Sequence, residues 1–307
     1  MHVVAGESPE VGGEPVEAVG AAGYSDRSGR SAVLVDAKRL HDELSSATPP
    51  LLLDVRWALG DPHGREHYRD GHLPGAVYVD LDTELAAMPG GTAGRHPLPD
   101  IAALQHSARA WGLTAGRPVV AYDDNGGQAA ARAWWLLRWA GVADVRILDG
   151  ALTAWREAGF PLETGETVPA SGDVVLAAGH LPVLDADGAA HLAGAGVLLD
   201  ARAPERYRGE VEPVDPRAGH IPGAVSAPTG ENLDGGGHFL SEDLLRARFT
   251  ALGAGDTRSV GVYCGSGVTA AHQIAALAVA GIDAALFPGS WSAWSSDPTR
   301  PVATGPG

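Results

Sequence analysis

The chain has 307 residues, of which 45% are hydrophobic, and its formal net charge is −16. This length allows one large domain or two ordinary ones, and the negative charge argues against a surface for nucleic acids or anionic membranes. No apolar run in the sequence is long enough to span a bilayer. The single cysteine excludes an internal disulfide and a thiolate-rich zinc site, and it fits a reducing, cytoplasmic location.

Most of the chain consists of two copies of one unit. The segment LLLDVR at 51–56 returns as VLLDAR at 197–202, and GHLPGAV at 71–77 returns as GHIPGAV at 219–225. Copies so far apart in the chain indicate a duplicated domain rather than a short solenoid unit.

The repeat also predicts where the domains begin and end. Residues 1–32 are rich in Gly, Glu and Ser and lack the pattern of a secretory signal, so we expect a flexible tail there. A first domain is expected over 33–160 and a second over 183–307. The segment between them, 161–182, is rich in Pro, Gly and Thr and is predicted to be a linker.

Each copy alternates short apolar runs with helical patterns. The runs at 197–201 and 259–264 do not alternate in polarity, which is typical of parallel strands buried on both faces. One helix is predicted to start after Ser241 and to end at Gly253, and another to end at Gly281. The sequence therefore predicts an α/β fold with a parallel sheet flanked by helices in each half. Functional residues of such sheets lie beyond the carboxyl ends of the strands.

The only cysteine stands at such a strand end. Cys264 is followed by Gly265 and Gly267 and then by a helical pattern. Glycines permit backbone conformations that turn several N–H groups inward, and a nest of this kind at a helix N-terminus favours a thiolate over a thiol. The alternative is a small thiol buried in the core. Asp123 occupies the corresponding position in the first copy, and an exchange of Cys for Asp favours a loop tip over a core position.

These motifs resemble the tandem-domain sulfurtransferases of the rhodanese and 3-mercaptopyruvate sulfurtransferase family. The resemblance covers residues 33–300 and rests most strongly on the seven-residue loop CGSGVTA. It implies two tandem rhodanese-like domains, of which the second is catalytic and the first is not. It also implies that Cys264 carries a persulfide, taking sulfane sulfur from a donor and passing it to a thiophilic acceptor such as cyanide, a small thiol or thioredoxin. Neither a cofactor nor a metal is implied.

The resemblance also suggests which residues bind the donor. The loop positions Gly265, Gly267, Val268 and Thr269 would hold the donor and the sulfur anion through their backbone. Arg206, in RYRGE, matches the family's substrate-binding arginine.

Two branches of the family differ in charge after the cysteine. Thiosulfate-preferring members carry an Arg-Lys pair where this chain has the neutral Gly265 and Ser266, as in the mercaptopyruvate branch. The chain lacks the family's second carboxylate-binding arginine, since the EPR motif reads EPVD at 212–215, and Arg217 is the nearby candidate replacement. We therefore expect 3-mercaptopyruvate as donor, with thiosulfate as the alternative.

In the mercaptopyruvate branch the loop serine is linked to an aspartate and a histidine of the first domain. Ser266, Asp82 and His96 match these three residues, and such a group could relay a proton or orient the donor's carbonyl. The alternative is that Asp82 and His96 only hydrogen-bond loops at the domain interface. The sequence does not decide whether Arg132 crosses that interface.

Two other functions compete with sulfur transfer. Phosphatases of this fold need an arginine six residues after the cysteine, where this chain has Ala270. A non-catalytic binding or scaffold protein is disfavoured by the complete cysteine loop and by Arg206. Trp291 and Trp294 could line the site or belong to the core.

Overall fold

The computed structural model describes residues 29–255 and 258–306. The expected tail lies outside the described residues except for its last few positions. Those positions are part of helix α1 (Arg30–Val33), and the Arg30 guanidinium donates hydrogen bonds to the Asp149 carboxylate and to two backbone carbonyls of the second domain. Helical structure therefore begins before residue 33, because this segment is held by residues far along the chain.

Within the described residues, the first domain is built on a five-stranded sheet whose neighbouring strands are all parallel. Its order is β1-β5-β4-β2-β3. The strands are β1 (Leu34–Val35), β2 (Leu51–Asp54), β3 (Val77–Tyr78), β4 (Val119–Tyr122) and β5 (Val145–Leu148). The three longer strands are buried along their whole length, which explains why their sequences do not alternate in polarity.

Helices flank this sheet, and Asp36, Asp80 and Asp100 cap three of them by accepting hydrogen bonds from N–H groups of the first turn. A 3₁₀ helix covers Gly91–Ala93. Besides α1, the helices are α2 (Ala37–Leu44), α3 (Gly64–Asp70), α4 (Leu81–Glu84), α5 (Ile101–Ala110), α6 (Ala130–Trp139) and α7 (Ala151–Glu157).

In the described part of the second domain, four parallel strands form a sheet of order β7-β6-β8-β9. The strands are β6 (Val197–Asp200), β7 (Val225–Ser226), β8 (Val260–Tyr263) and β9 (Ala285–Leu286). A 3₁₀ helix covers Thr229–Asn232. The α-helices are α8 (Ala186–Ala195), α9 (Pro204–Tyr207), α10 (Glu242–Ala251), α11 (Thr269–Val279) and α12 (Ser290–Ser296).

The predicted architecture is confirmed: each half holds a parallel sheet flanked by helices. The Ser241 side chain accepts a hydrogen bond at the start of α10, as predicted for its N-cap. Gly253 and Gly281, predicted as helix ends, adopt the left-handed backbone region just after α10 and α11. No helix among the described residues is long and apolar enough to cross a membrane.

The duplication extends to individual side-chain contacts. In the first domain, Arg56 Nη2 donates to the buried Asp54 carboxylate at 2.6 Å. In the second domain, Arg202 Nη2 donates to the buried Asp200 carboxylate at the same distance. In both pairs the aspartate is the last residue of a strand and the arginine lies two residues after it, so the repeat in sequence is a repeat in structure.

The segment predicted as a linker, 161–182, lies along the first domain. Glu163 exchanges two backbone hydrogen bonds of 2.9 Å with His72, and Val174 and Leu176 are buried. These contacts fix the path of the chain between the two domains.

The two domains pack closely against each other. Helices α6 and α11 contact one another, and one hydrophobic cluster contains residues from both halves. The contact is reciprocal at the strand ends: Arg132 of α6 donates to the Gly267 carbonyl after β8, and His272 of α11 lies 3.2 Å from the Gly126 carbonyl after β4. Residues of the first domain are thereby brought to the cysteine loop.

Candidate active site

The cysteine loop joins β8 directly to α11. Cys264 is the first residue after the strand, and its Sγ accepts a hydrogen bond from the Gly267 N–H at 3.1 Å. Gly267 has φ of 83°, and a Cβ there would lie 2.5 Å from the Pro288 carbonyl oxygen, so any other residue would force the loop apart. Among the described residues one backbone N–H donates to the sulfur, whereas the glycine pattern predicted several.

The matching loop of the first domain shows what this backbone can hold. The buried carboxylate of Asp123 accepts hydrogen bonds of 2.8–3.0 Å from four backbone N–H groups, those of Asn125, Gly127, Ala129 and Ala130. Burial raises the pKa of Asp123, and these four donors act in the opposite direction. These four donors therefore offset part of the cost of burying a negative charge at the position that Cys264 occupies in the second domain.

Both equivalent positions are buried, which corrects one expectation. Asp123 is fully buried and Cys264 is 2% exposed, although the exchange of Cys for Asp suggested a loop tip. A carboxylate is tolerated there because the N–H nest replaces water. Burial also agrees with the alternative of a core thiol, but Cys264 borders an open cleft and not only apolar side chains.

That cleft lies between the two domains and has a volume of about 460 Å³. The second domain contributes most of the predicted residues, namely Cys264, Gly265, Ser266, Val268, Thr269 and Arg206. Gly267 does not line it and reaches the sulfur through its N–H. The first domain contributes Trp57 and Arg95, neither of which was predicted as a site residue.

Ser266, His96 and Asp82 form a hydrogen-bonded chain across the interface. His96 Nδ1 lies 2.7 Å from Ser266 Oγ, and His96 Nε2 lies 3.0 Å from Asp82 Oδ1. Burial holds the pKa of His96 below its ordinary value, while Asp82 raises it and the charges of Arg132 and Arg95 lower it further. The imidazole is therefore neutral near pH 7. The Asp82 side chain is 59% exposed, so the chain runs from the cleft to solvent.

Trp57 holds the outer end of this chain in place. Its Nε1 donates to Asp82 Oδ1 at 3.0 Å, and its ring meets the His96 ring edge-on at a centroid distance of 5.4 Å. Trp57 follows β2 in the DVRW motif, so the rule that functional residues follow parallel strands could have found it.

Two arginines approach the residue after the cysteine. A Cβ built on Gly265 would lie 3.0 Å from Arg95 Nη2 and 3.4 Å from Arg206 Nη1. Arg206 Nη2 donates to Glu212 at 2.6 Å and to Asp215 at 3.2 Å, and Arg95 Nη1 donates to Asp215. Arg206 was predicted to bind the donor, and the structure places it in the cleft beside a second arginine, Arg95, from the other domain.

Arg217 does not take the place of the missing arginine. Its guanidinium donates to four backbone carbonyls near the C-terminus, and it is not among the residues that line the cleft; the acceptors are the carbonyls of Trp294, Ser295, Asp297 and Arg300. The expectation that Arg217 binds the donor is therefore corrected: it fastens α12 and the segment after it. Trp291 and Trp294 are buried in the core and do not line the cleft either.

Arg132 crosses the interface. Its fully buried guanidinium donates to the carbonyls of Leu85, His96 and Gly267, and it has no carboxylate partner within the described part of the chain. Burial lowers the pKa of Arg132 to about 10, and a negative charge on Cys264 acts against that lowering. One cation of the first domain thus links His96 to the cysteine loop.

Comparison with known proteins identifies the family. The rhodanese-like domain family matches residues 36–158 and 185–297. A Mycobacterium tuberculosis protein that carries the name thiosulfate sulfurtransferase SseB is 52% identical over 281 residues, which cover 90% of this chain and 98% of that protein. A Pseudomonas aeruginosa protein that carries the name 3-mercaptopyruvate sulfurtransferase is 49% identical over 283 residues, which cover 90% of this chain and 99% of that protein.

A solved structure shows the same arrangement. The crystal structure of SseA from Escherichia coli, a 3-mercaptopyruvate sulfotransferase, aligns with a TM-score of 0.75 at 31% identity, covering 84% of this chain and 98% of that one. The sequence motifs, the two parallel sheets and these comparisons agree, and the chain belongs to the rhodanese-like family, with two such domains in tandem.

Proposed function

We propose that the chain is a sulfurtransferase that carries sulfane sulfur as a persulfide on Cys264. The observation that carries the proposal is the position of the sulfur: it borders the interdomain cleft and accepts a hydrogen bond from a loop N–H. The equivalent loop of the first domain turns four backbone N–H groups onto the Asp123 carboxylate. A thiolate, and then a persulfide anion, would be stabilised in the same way.

The preferred donor in this proposal is 3-mercaptopyruvate. The Cys264 thiolate attacks the donor's thiol sulfur, an S–S bond forms and the donor's C–S bond breaks. The electron pair of the broken bond remains on carbon as the enolate of pyruvate, which takes up the proton that the thiol releases. In the second half-reaction the acceptor attacks the outer sulfur, and the Cys264 thiolate is the leaving group.

Ser266, His96 and Asp82 would carry that proton. A neutral His96 that donates from Nε2 to Asp82 has an unprotonated Nδ1, which accepts the Ser266 hydroxyl proton across 2.7 Å. Ser266 lines the cleft, and its hydroxyl would receive a proton from the donor's thiol and return one to the donor's carbon. Asp82 orients the ring and fixes the tautomer.

Thiosulfate is the alternative donor. The neutral Gly265 and Ser266 after the cysteine favour a monocarboxylate over a dianion, and Arg206 lines the cleft as a carboxylate ligand. The two closely similar relatives carry the names of both activities, so this choice rests on the charges of the cleft. The non-enzymatic alternative is a tandem binding or scaffold protein.

The acceptor is a thiophile. Cyanide, a small thiol and thioredoxin all fit the chemistry of the second half-reaction, since each presents a nucleophile to the outer sulfur. The lone, unpaired cysteine fits a reducing compartment, and we propose a cytoplasmic location.

Steady-state turnover with cyanide as common acceptor tests this function. We expect the wild type to have the higher kcat/KM with 3-mercaptopyruvate, and the Cys264→Ser variant to be inactive with both donors. A clear preference for thiosulfate would support the alternative donor and leave the persulfide in place. A wild type that turns over neither donor would support the binding or scaffold protein instead.

A further inference from the structure

We propose that Arg95, from the non-catalytic domain, is the second anion-binding arginine of the cleft and supplies the cation that the EPVD sequence lacks. The ligand would be the carboxylate of an α-keto acid donor. The inference rests on the proposed sulfurtransferase function and adds to it a residue that lies on the opposite domain from the catalytic cysteine.

The two guanidinium groups present free donors at the same place. Arg95 Nη2 and Arg206 Nη1 are the side-chain atoms nearest to a Cβ built on Gly265, at 3.0 Å and 3.4 Å. Neither atom has a hydrogen-bond partner within residues 29–255 and 258–306. The Nε atoms of both arginines are also buried without a partner there. Two arginines with unused donors, facing each other beside the nucleophile, form a pair of ligands for one carboxylate.

A buried carboxylate holds this pair together. The Asp215 side chain is 3% exposed and pairs with Arg95 on one side and with Arg206 on the other. Asp215 directly follows Val214, the position at which the resemblance places the missing arginine. The chain therefore has a valine where the resemblance places a cation, and the carboxylate of the next residue pairs with Arg95 from the other domain.

The backbone of Arg95 is fixed to the second domain as well. Its N–H donates to Ser292 Oγ of α12 at 3.1 Å. At Gly94, just before it, a Cβ would lie 2.7 Å from the Gly289 carbonyl oxygen, so only glycine allows this close approach. The next residue, His96, belongs to the proposed proton relay. One segment of the first domain thus carries both the proposed anion ligand, Arg95, and the histidine of the proposed relay. This placement is expected of a site residue and not of an arginine in a surface ion pair.

The charges explain why a monocarboxylate suits this site. Arg95 and Arg206 face two buried carboxylates, those of Glu212 and Asp215, so the cleft wall has little surplus positive charge. The site therefore has no excess positive charge to balance a dianion. The unpaired N–H groups of Arg95 and Arg206 match the two oxygens of a single carboxylate.

Direct binding and turnover together test the proposal. 3-Mercaptopyruvate is titrated calorimetrically into the Cys264→Ser protein, with and without Arg95→Gln, and pyruvate is titrated as a carboxylate that cannot donate sulfur. We expect Arg95→Gln to raise both dissociation constants about 10- to 100-fold, since a hydrogen-bonded charge is lost, and Arg95→Lys to raise them less. In the enzyme with Cys264 intact, Arg95→Gln should raise KM by a similar factor and change kcat much less.

Arg65→Gln is the matched control, because Arg65 is an exposed arginine of the same domain that pairs with Glu166 away from the cleft. It should leave every constant unchanged. Unchanged dissociation constants in Arg95→Gln, or a loss confined to kcat, would overturn the assignment. Absence of turnover in the wild type would instead refute the sulfurtransferase function, and the binding titrations would still decide the role of Arg95.

Discussion

Replacing Ser266 by Ala should separate the two donors. The variant loses a 2.7 Å hydrogen bond and leaves the buried His96 Nδ1 without its partner, which costs about 1–3 kcal/mol. With 3-mercaptopyruvate it also loses the group that carries a proton from sulfur to carbon, a contribution of roughly 100- to 10,000-fold in rate. Thiosulfate releases sulfite with its bonding electron pair and needs no such proton.

We therefore expect Ser266→Ala to lower the rate of sulfur transfer from 3-mercaptopyruvate by at least roughly 100-fold and that from thiosulfate by less than about tenfold. The assay is a rapid-quench measurement of persulfide formation with each donor, so that acceptor chemistry does not contribute. Thiosulfate serves as the control on the same protein. Equal losses with both donors would mean that the hydroxyl only supports the loop, and the relay would be wrong.

Three further results follow from the contacts of the site. Arg206→Ala should lose about 2–3 kcal/mol of transition-state stabilisation, seen as a drop in kcat/KM for 3-mercaptopyruvate, while the exposed neighbour Arg208→Ala should not. Asp82→Asn removes a charge that raises the pKa of His96, so the loss of mercaptopyruvate activity on acidification should move to lower pH; an unmoved acidic limb would contradict this. Asp123→Asn removes an acceptor from the N–H nest and should lower the free energy of unfolding in urea by about 3 kcal/mol; no change would mean that the nest adds nothing.

Much of the fold could be read from the sequence for a physical reason. Strands buried on both faces must be apolar along their whole length, and the glycines that end α10 and α11 adopt conformations that other residues disfavour. The duplication then fixed the position of Cys264 at a strand end, because the same unit carries Asp123 at the same point.

Contacts between the domains could not be read in this way. Arg95 and Asp215 are 120 positions apart in the chain and share no periodic pattern, so nothing in the sequence links them. Arg217 was the natural candidate because it lies near the EPVD segment, but its direction is set by the carbonyls of α12. Sequence proximity therefore indicated an arginine that does not line the cleft, whereas packing across the interface brings Arg95 into it.

The burial of Asp123 was missed for a related reason. A charged residue inside a protein is expected to need a charged partner. The residue types of this loop do not predict that four backbone N–H groups donate to the Asp123 carboxylate. The resemblance to a family gave the residues of the relay, Ser266, His96 and Asp82, and the structure gives the distances that join them.

The most direct test of the central claim is the intact mass of the protein after treatment with the sulfur donor in the absence of acceptor. The account predicts that the wild type gains the mass of one sulfur atom, that cyanide removes this mass, and that Cys264→Ser gains none. A sulfur adduct on the serine variant, or turnover by a wild type that never carries the added sulfur, would contradict the persulfide on Cys264.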